Sequence, residues 1–259
     1  MPRRRIILGR RNEAVHPDTV RATVAEFIAT AIFVFAAEGS VLSLVKMEMD
    51  TWTESGLLVV AVAHGLAFTV AVAGAMNLSG GHVNPAVTLS LMITGRISVV
   101  RAVLYWVAQL LGAVAASLLL RLSTADMRPV GLWVAPGFGV WNAVLLEIIL
   151  TFGLVYTFFA IMVDLRNALS SIEPLAVGFI IAANILVGGV FDGAGMNPAR
   201  VFGPALIGWQ WRHHWVYWLG PFIGSALAAL IYEFLVMPFE VIPHTLNPPL
   251  IPPLIPEDY

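Results

Sequence analysis

Apolar residues fall in six long runs along the chain, at 22–45, 57–76, 102–120, 142–163, 174–190 and 215–237, separated by short polar breaks. A helix needs about 20 predominantly apolar residues to cross the hydrocarbon of a bilayer, so each run predicts one spanning helix. Two further apolar stretches, Pro85 to Ile93 and Pro198 to Ile207, have about half that reach at a helical rise of 1.5 Å per residue. Each directly follows an asparagine. Asn-Pro is a helix-start signal: asparagine caps, and proline at the first helical position lacks an N–H that would go unpaired anyway. Short apolar segments at matching places in two halves point to a site at the bilayer midplane.

The halves do match. Glu26 and Thr30 in the first run recur as Glu147 and Thr151 in the fourth, and His64-Gly65 aligns with Val177-Gly178. Asn84-Pro85-Ala86 recurs as Asn197-Pro198-Ala199, and Tyr105-Trp106 with Gly112 recurs as Tyr217-Trp218 with Gly224. Three spans per half is an odd number, so the second half enters the membrane upside down relative to the first. The expected fold is an all-α membrane protein: six transmembrane helices plus two re-entrant half-helices in an inverted 3+3 repeat. Residues 1–20 form an N-terminal tail, 21–237 the membrane domain with halves at about 21–122 and 142–237, and 238–259 a proline-rich, extended tail.

Composition narrows the class. Hydrophobic residues make up 59% of the 259 and charged residues 12%, about half the charge of a soluble domain. A soluble globular or disordered chain is excluded. A net charge of −2 leaves no basic footprint for nucleic acid. Cysteine is absent, which removes disulfides, thiolate metal sites and a cysteine nucleophile. Neither a His-Glu-x-x-His nor a nucleophile-elbow motif is present, so no enzyme activity, cofactor or metal is expected.

Loop charges set the orientation. With a cytosolic N-terminus, that side holds Arg3, Arg4, Arg5, Arg10, Arg11, Arg21, Arg96, Arg101 and Arg166, against Lys46, Arg121, Arg128 and Arg212 opposite. Both termini are then cytosolic. No apolar h-region directly follows the polar stretch Met1 to His16, so the first span is expected to serve as signal anchor.

Inversion brings the two short helices together N-terminus to N-terminus in mid-membrane. Irregular backbone there is tolerated only inside protein or along a watery cavity, so the paired motif implies a pore. Each helix N-terminus carries about half a positive charge, and the Asn84 and Asn197 amides can donate to a passing oxygen. A water held by both has its hydrogens turned away from the centre, which interrupts a proton wire. Arg200, three residues after Asn197, shares its helical face. Its counterpart is Val87, leaving one fixed charge on one side only. Glu26 and Glu147 are functional suspects by cost. Their symmetry, shared with Thr30 and Thr151, argues for a scaffold in which they accept hydrogen bonds from the re-entrant loops. Gly112 and Gly224 mark close helix packing.

The sequences Gly80-Gly81-His82-Val83-Asn84-Pro85-Ala86-Val87 and Gly195-Met196-Asn197-Pro198-Ala199-Arg200 resemble those of the aquaporin (major intrinsic protein) family, over about residues 20–237. Within it, His16-Pro17-Asp18, Ala36-Ala37-Glu38-Gly39-Ser40 and the surroundings of His64 are similar to plant tonoplast intrinsic proteins. The resemblance implies a homotetramer with one pore per subunit, in the vacuolar membrane. It places an outer constriction on His64, Ile185, Ala194 and Arg200, where strict water channels usually carry phenylalanine, histidine, a small residue and arginine. The opening is expected to be somewhat wider and less polar on one wall. Water is the expected permeant, with urea, glycerol or hydrogen peroxide as further small neutral solutes and protons and ions excluded.

Glycerol facilitators usually carry aspartate and lysine where this chain has Val201 and Ala205, and ammonia-permeable relatives tend to have a histidine where it has Leu132. A coupled secondary transporter would need a titratable group exposed at the midplane. His64 alone could be a structural histidine. His82 either lines the cytosolic mouth, as a candidate pH gate, or braces its loop. Val190, Asp192 and Gly195 depart from the family pattern, and Asp192 either tilts the pore mouth toward cations, shifts Arg200, or faces solvent. Asn77-Leu78-Ser79 matches a glycosylation acceptor but is expected to be buried and unmodified.

Overall fold

The computed structural model describes residues 6–47, 53–164 and 172–237. Arg3, Arg4, Arg5, Arg166 and the proline-rich tail from 238 lie outside the described residues. Among the described residues six helices are long and apolar enough to span, two of them together with the π-helical turns that continue them: α1 (Pro17–Lys46), α2 (Glu54–Ser79), α4 (Val99–Ser123), α5 (Val140–Phe158), α6 (Glu173–Asp192) and α8 (Val216–Ile231). Two are half-length, α3 (Pro85–Ile93) and α7 (Pro198–Gly208). α5 and α8 each run on into one π-helical turn, Phe159–Val163 and Tyr232–Val236. The spans extend a few residues past the apolar runs because polar caps lie beyond them. Thr53 accepts from Gly56 N, and Ser98 from Arg101 N.

The packing repeats across the two halves. α1 packs on α4 as α5 packs on α8, and α1 on α2 as α5 on α6; α2 and α6 meet across the repeat. Each short helix packs chiefly on the last span of the other half, α7 against α4 and α3 against α8. Three glycine contacts set how closely the long helices approach. A Cβ at Gly112 would overlap the Phe27 carbonyl, and one at Gly224 the Ile148 carbonyl, while Gly65 and Gly178 face each other's backbone between α2 and α6.

Polarity runs inside out. Leu66, Val70, Leu111, Leu119, Phe179 and Leu227 are exposed, while Glu26, Glu38, Gln109, Glu147, Asp192 and Arg200 are buried. A bilayer rather than water must therefore cover the outside, and the chain is a multi-pass membrane protein.

The paired half-helices and the Arg200 site

Each half-helix is preceded by a loop whose backbone is forced into the left-handed region at mirrored places. Gly80 and Gly193 (φ 92° and 87°), Gly81 and Ala194 (64° and 50°), and Val83 and Met196 (53° and 51°) correspond pair by pair. Side chains rarely adopt this region, at a cost of about 1–3 kcal/mol for each non-glycine residue, so something must hold the loops open. Two buried carboxylates do. Glu26 accepts from His82 N at 2.9 Å and Val83 N at 2.7 Å, and Glu147 accepts from Gly195 N and, at 2.7 Å, from Met196 N. Charge-assisted bonds of this kind contribute about 1.5–3 kcal/mol each, enough to offset the backbone strain. The Tyr105 hydroxyl donates to Ser79 O at 3.1 Å, and its repeat partner Tyr217 donates to Asp192 O at 2.6 Å.

The two carboxylates are not equally served. Glu26 also accepts from Ser79 Oγ at 2.6 Å and Gln109 Nε2 at 2.7 Å. At the positions repeating these, the chain has Asp192 and Pro221. Asp192 is buried, 1% exposed, and does not face solvent. Its Oδ1 accepts from Ala194 N at 2.9 Å, just as Ser79 Oγ accepts from Gly81 N, while its Oδ2 is buried without a hydrogen-bond partner among the described residues. The departure at this position thus sits in the frame of the loop. Thr30 and Thr151 are fully buried one turn beyond the glutamates, but neither hydroxyl has a hydrogen-bond partner among the described residues, so they join the frame by packing.

Asn84 and Asn197 each do two things. Their Oδ1 atoms cap the helices, Asn84 accepting from Ala86 N at 2.8 Å and Asn197 from Ala199 N at 3.0 Å. Their amide nitrogens reach across: Asn84 Nδ2 donates to Met196 O at 3.0 Å and Asn197 Nδ2 to Val83 O at 2.8 Å. The short helices therefore meet tip to tip, with the loops bonded to one another. One N–H of each amide is engaged in this way, so one per asparagine, not two, remains to meet a passing oxygen. Trp106 Nε1 donates to Pro85 O at 3.0 Å and fixes the first tip from the side.

Arg200 is 3% exposed. Its Nη1 donates to Ala194 O at 2.7 Å and lies 3.4 Å from Gly193 O and Gly195 O. Its Nε faces Glu38 Oε1 of α1 at 3.6 Å. The arginine is not a solitary fixed charge, as its comparison with Val87 suggested, because a carboxylate from the opposite half stands beside it. His64 on α2 is buried, with Nδ1 bonded to Val60 O at 2.8 Å and Nε2 left without a hydrogen-bond partner among the described residues. It lies within electrostatic reach of Arg200. Ala194 touches Arg200 through its carbonyl, and Gly188, one turn beyond the buried Ile185 on α6, abuts Ala194. Leu132 packs against Gly193 of the same loop.

His82 is 2% exposed, bonded through Nδ1 to Thr88 Oγ1 at 3.0 Å and set edge-on to Tyr105, the contacts of a brace within its loop. Asn77 is exposed near the end of α2, contrary to expectation, while Ser79 is turned inward to Glu26. Gln109 and Glu38 are the site residues that the sequence pattern left aside. Gln109 was visible only as a polar residue in an apolar run, and Glu38 had no spacing that tied it to Arg200.

Six spans in an inverted repeat, closed at the centre by two half-helices that bond to each other's loops, define a membrane protein of the channel class. The chain belongs to the major intrinsic protein family, whose model matches residues 13–232. Among its relatives are aquaporin TIP3-1 of Zea mays, 63% identical over 100% of this chain and 98% of the relative, and the probable aquaporin TIP3-2 of Arabidopsis thaliana, 56% identical over 99% and 98%. The solved structure of the aquaglyceroporin from Plasmodium falciparum shares the fold, with a TM-score of 0.71 at 22% identity over 84% of this chain and 97% of that one. The protein is therefore a membrane channel for water or small neutral solutes, and not an enzyme.

Proposed function

We propose that the chain is a passive water channel that also admits small neutral solutes such as urea, glycerol or hydrogen peroxide, and that excludes protons and ions. The observation that carries this reading is the meeting of two capped half-helix N-termini at the centre. Two positive helix ends oppose cations there, and the free N–H of each asparagine orients a transiting water by its oxygen. The four residues His64, Ile185, Ala194 and Arg200 form the outer constriction, and Glu26 and Glu147 with Thr30 and Thr151 are the scaffold of its loops. With histidine and isoleucine on two walls, bore and lining favour small neutral solutes beside water.

By the names of its relatives the channel resides in the tonoplast, and by loop charge both termini are cytosolic. It works as a homotetramer with one pore in each subunit, each formed by residues 21–237. Osmotic swelling of proteoliposomes tests the reading. The wild type should swell faster than empty vesicles without carrying protons, and Arg200→Val should raise the urea-to-water permeability ratio by about tenfold through loss of a polar side chain from the constriction. Coupled proton movement would instead favour a secondary transporter, and an unchanged ratio would remove Arg200 from the constriction.

A further inference from the structure

Glu38 and Arg200 are 162 positions apart in the sequence, yet they form a buried pair, with Nε to Oε1 at 3.6 Å and side chains 4% and 3% exposed. The placement follows from α1 being unbroken. Twelve residues separate Glu26 from Glu38, about 18 Å along a helix axis. One helix thus carries one carboxylate to the first loop and a second carboxylate to the arginine that follows the other loop.

The repeat shows that this second carboxylate is not part of the common frame. By the offset that relates Glu26 to Glu147, Glu38 corresponds to Phe159; by the offset that relates Asn84 to Asn197, Arg200 corresponds to Val87. Phe159 and Val87 are both fully buried, in one apolar cluster. One end of the molecule therefore has an apolar couple where the other has a charged couple. The charges came together at the end that holds His64 and Ala194, and a buried arginine without a compensating carboxylate would be costly.

The guanidinium is gripped from two directions. Loop carbonyls at Gly193, Ala194 and Gly195 take Nη1, and Nε has no hydrogen-bond partner among the described residues other than the charge of Glu38 facing it. At 3.6 Å the contact is coulombic attraction more than a hydrogen bond. It draws the Nε side of the guanidinium toward the α1 wall.

We infer that Glu38 is a positioning residue for the constriction, holding the Arg200 side chain against α1 so that the pair, rather than the arginine alone, sets the bore and the solute selectivity. This rests on the assignment of Arg200 to the constriction. Glu38 touches no permeant in this reading; it acts through Arg200. Without its charge, the guanidinium stays tied to the loop by Nη1 but is free to lean across the lumen, which hinders larger solutes more than water.

The test is a double-mutant cycle in proteoliposomes of the full chain, reading the urea-to-water permeability ratio per incorporated channel. Glu38→Gln, nearly equal in shape, should lower the ratio about threefold or more; the same change in an Arg200→Val background should alter it less than about 1.5-fold. Glu38→Asp keeps the charge one methylene further back and should give an intermediate ratio, which supplies a reading should the glutamine variant fold poorly. An unchanged ratio in Glu38→Gln, or an equal change with and without Arg200, overturns the inference. The Arg200→Val single variant separates the two levels: no effect there removes the constriction assignment itself, whereas an effect there without coupling to Glu38 removes only the positioning role.

Discussion

At the scale of single residues, the two halves of the molecule are alike in frame and unlike in charge. Ser79 and Asp192 occupy matching positions, each turning a side-chain oxygen to the backbone N–H two residues on. The serine hydroxyl can also donate a hydrogen bond to the neighbouring glutamate, whereas an ionised aspartate only accepts. Glu26 accepts one from Ser79, while for Glu147 the matching position holds Asp192. Replacing Asp192 by serine should restore the missing donor and relieve an unsatisfied buried oxygen. The variant is expected to gain about 1–3 kcal/mol, read as a higher thermal midpoint of the detergent-solubilised protein. A lower midpoint would mean that the aspartate stabilises the loop in a way serine cannot.

At the scale of helices, backbone contact rather than side-chain interlocking fixes the arrangement. α1 and α4 meet where Gly112 lies against the Phe27 carbonyl, as α5 and α8 meet at Gly224 and Ile148. Gly112→Val should push these helices apart and lower stability by about 1–3 kcal/mol. Gly74 provides the contrast, because a Cβ there meets nothing within 4 Å. Gly74→Ala should be stabilising by about 0.5–1 kcal/mol, the helix-interior difference between the two residues. A common thermal-denaturation series checks both, and equal effects of the two substitutions would contradict the packing account.

How much of this could be read from the chain also depends on scale. The spans were legible because an apolar run long enough for a bilayer has few other uses, and the half-helices because Asn-Pro announces a start that length then cuts short. The loop carboxylates were legible through their recurrence. Glu38 was not, since it recurs nowhere and its partner is distant in sequence; only an unbroken α1 brings the two together. The burial of Asp192 depends on how the end of α6 turns into its loop, although its alignment with Ser79 held a clue. The use of one amide N–H of each asparagine on the facing loop required the two tips to be in contact.

For the whole molecule, an apolar exterior encloses a polar interior, and no thiol is present anywhere in the chain. Mercurial reagents act on thiolates, so water permeability of the purified channel should be unchanged by them. Inhibition that reverses on adding a thiol would contradict this. The bonds between the two central loops join residues 112 and 114 positions apart. During synthesis the first loop therefore emerges long before the carbonyl and amide that complete it. Its glutamate can shape it, but its asparagine must wait. Completion of the centre is thus a late event in biogenesis, and a nascent chain that stops short of the second loop is left with an unfinished seam between its halves.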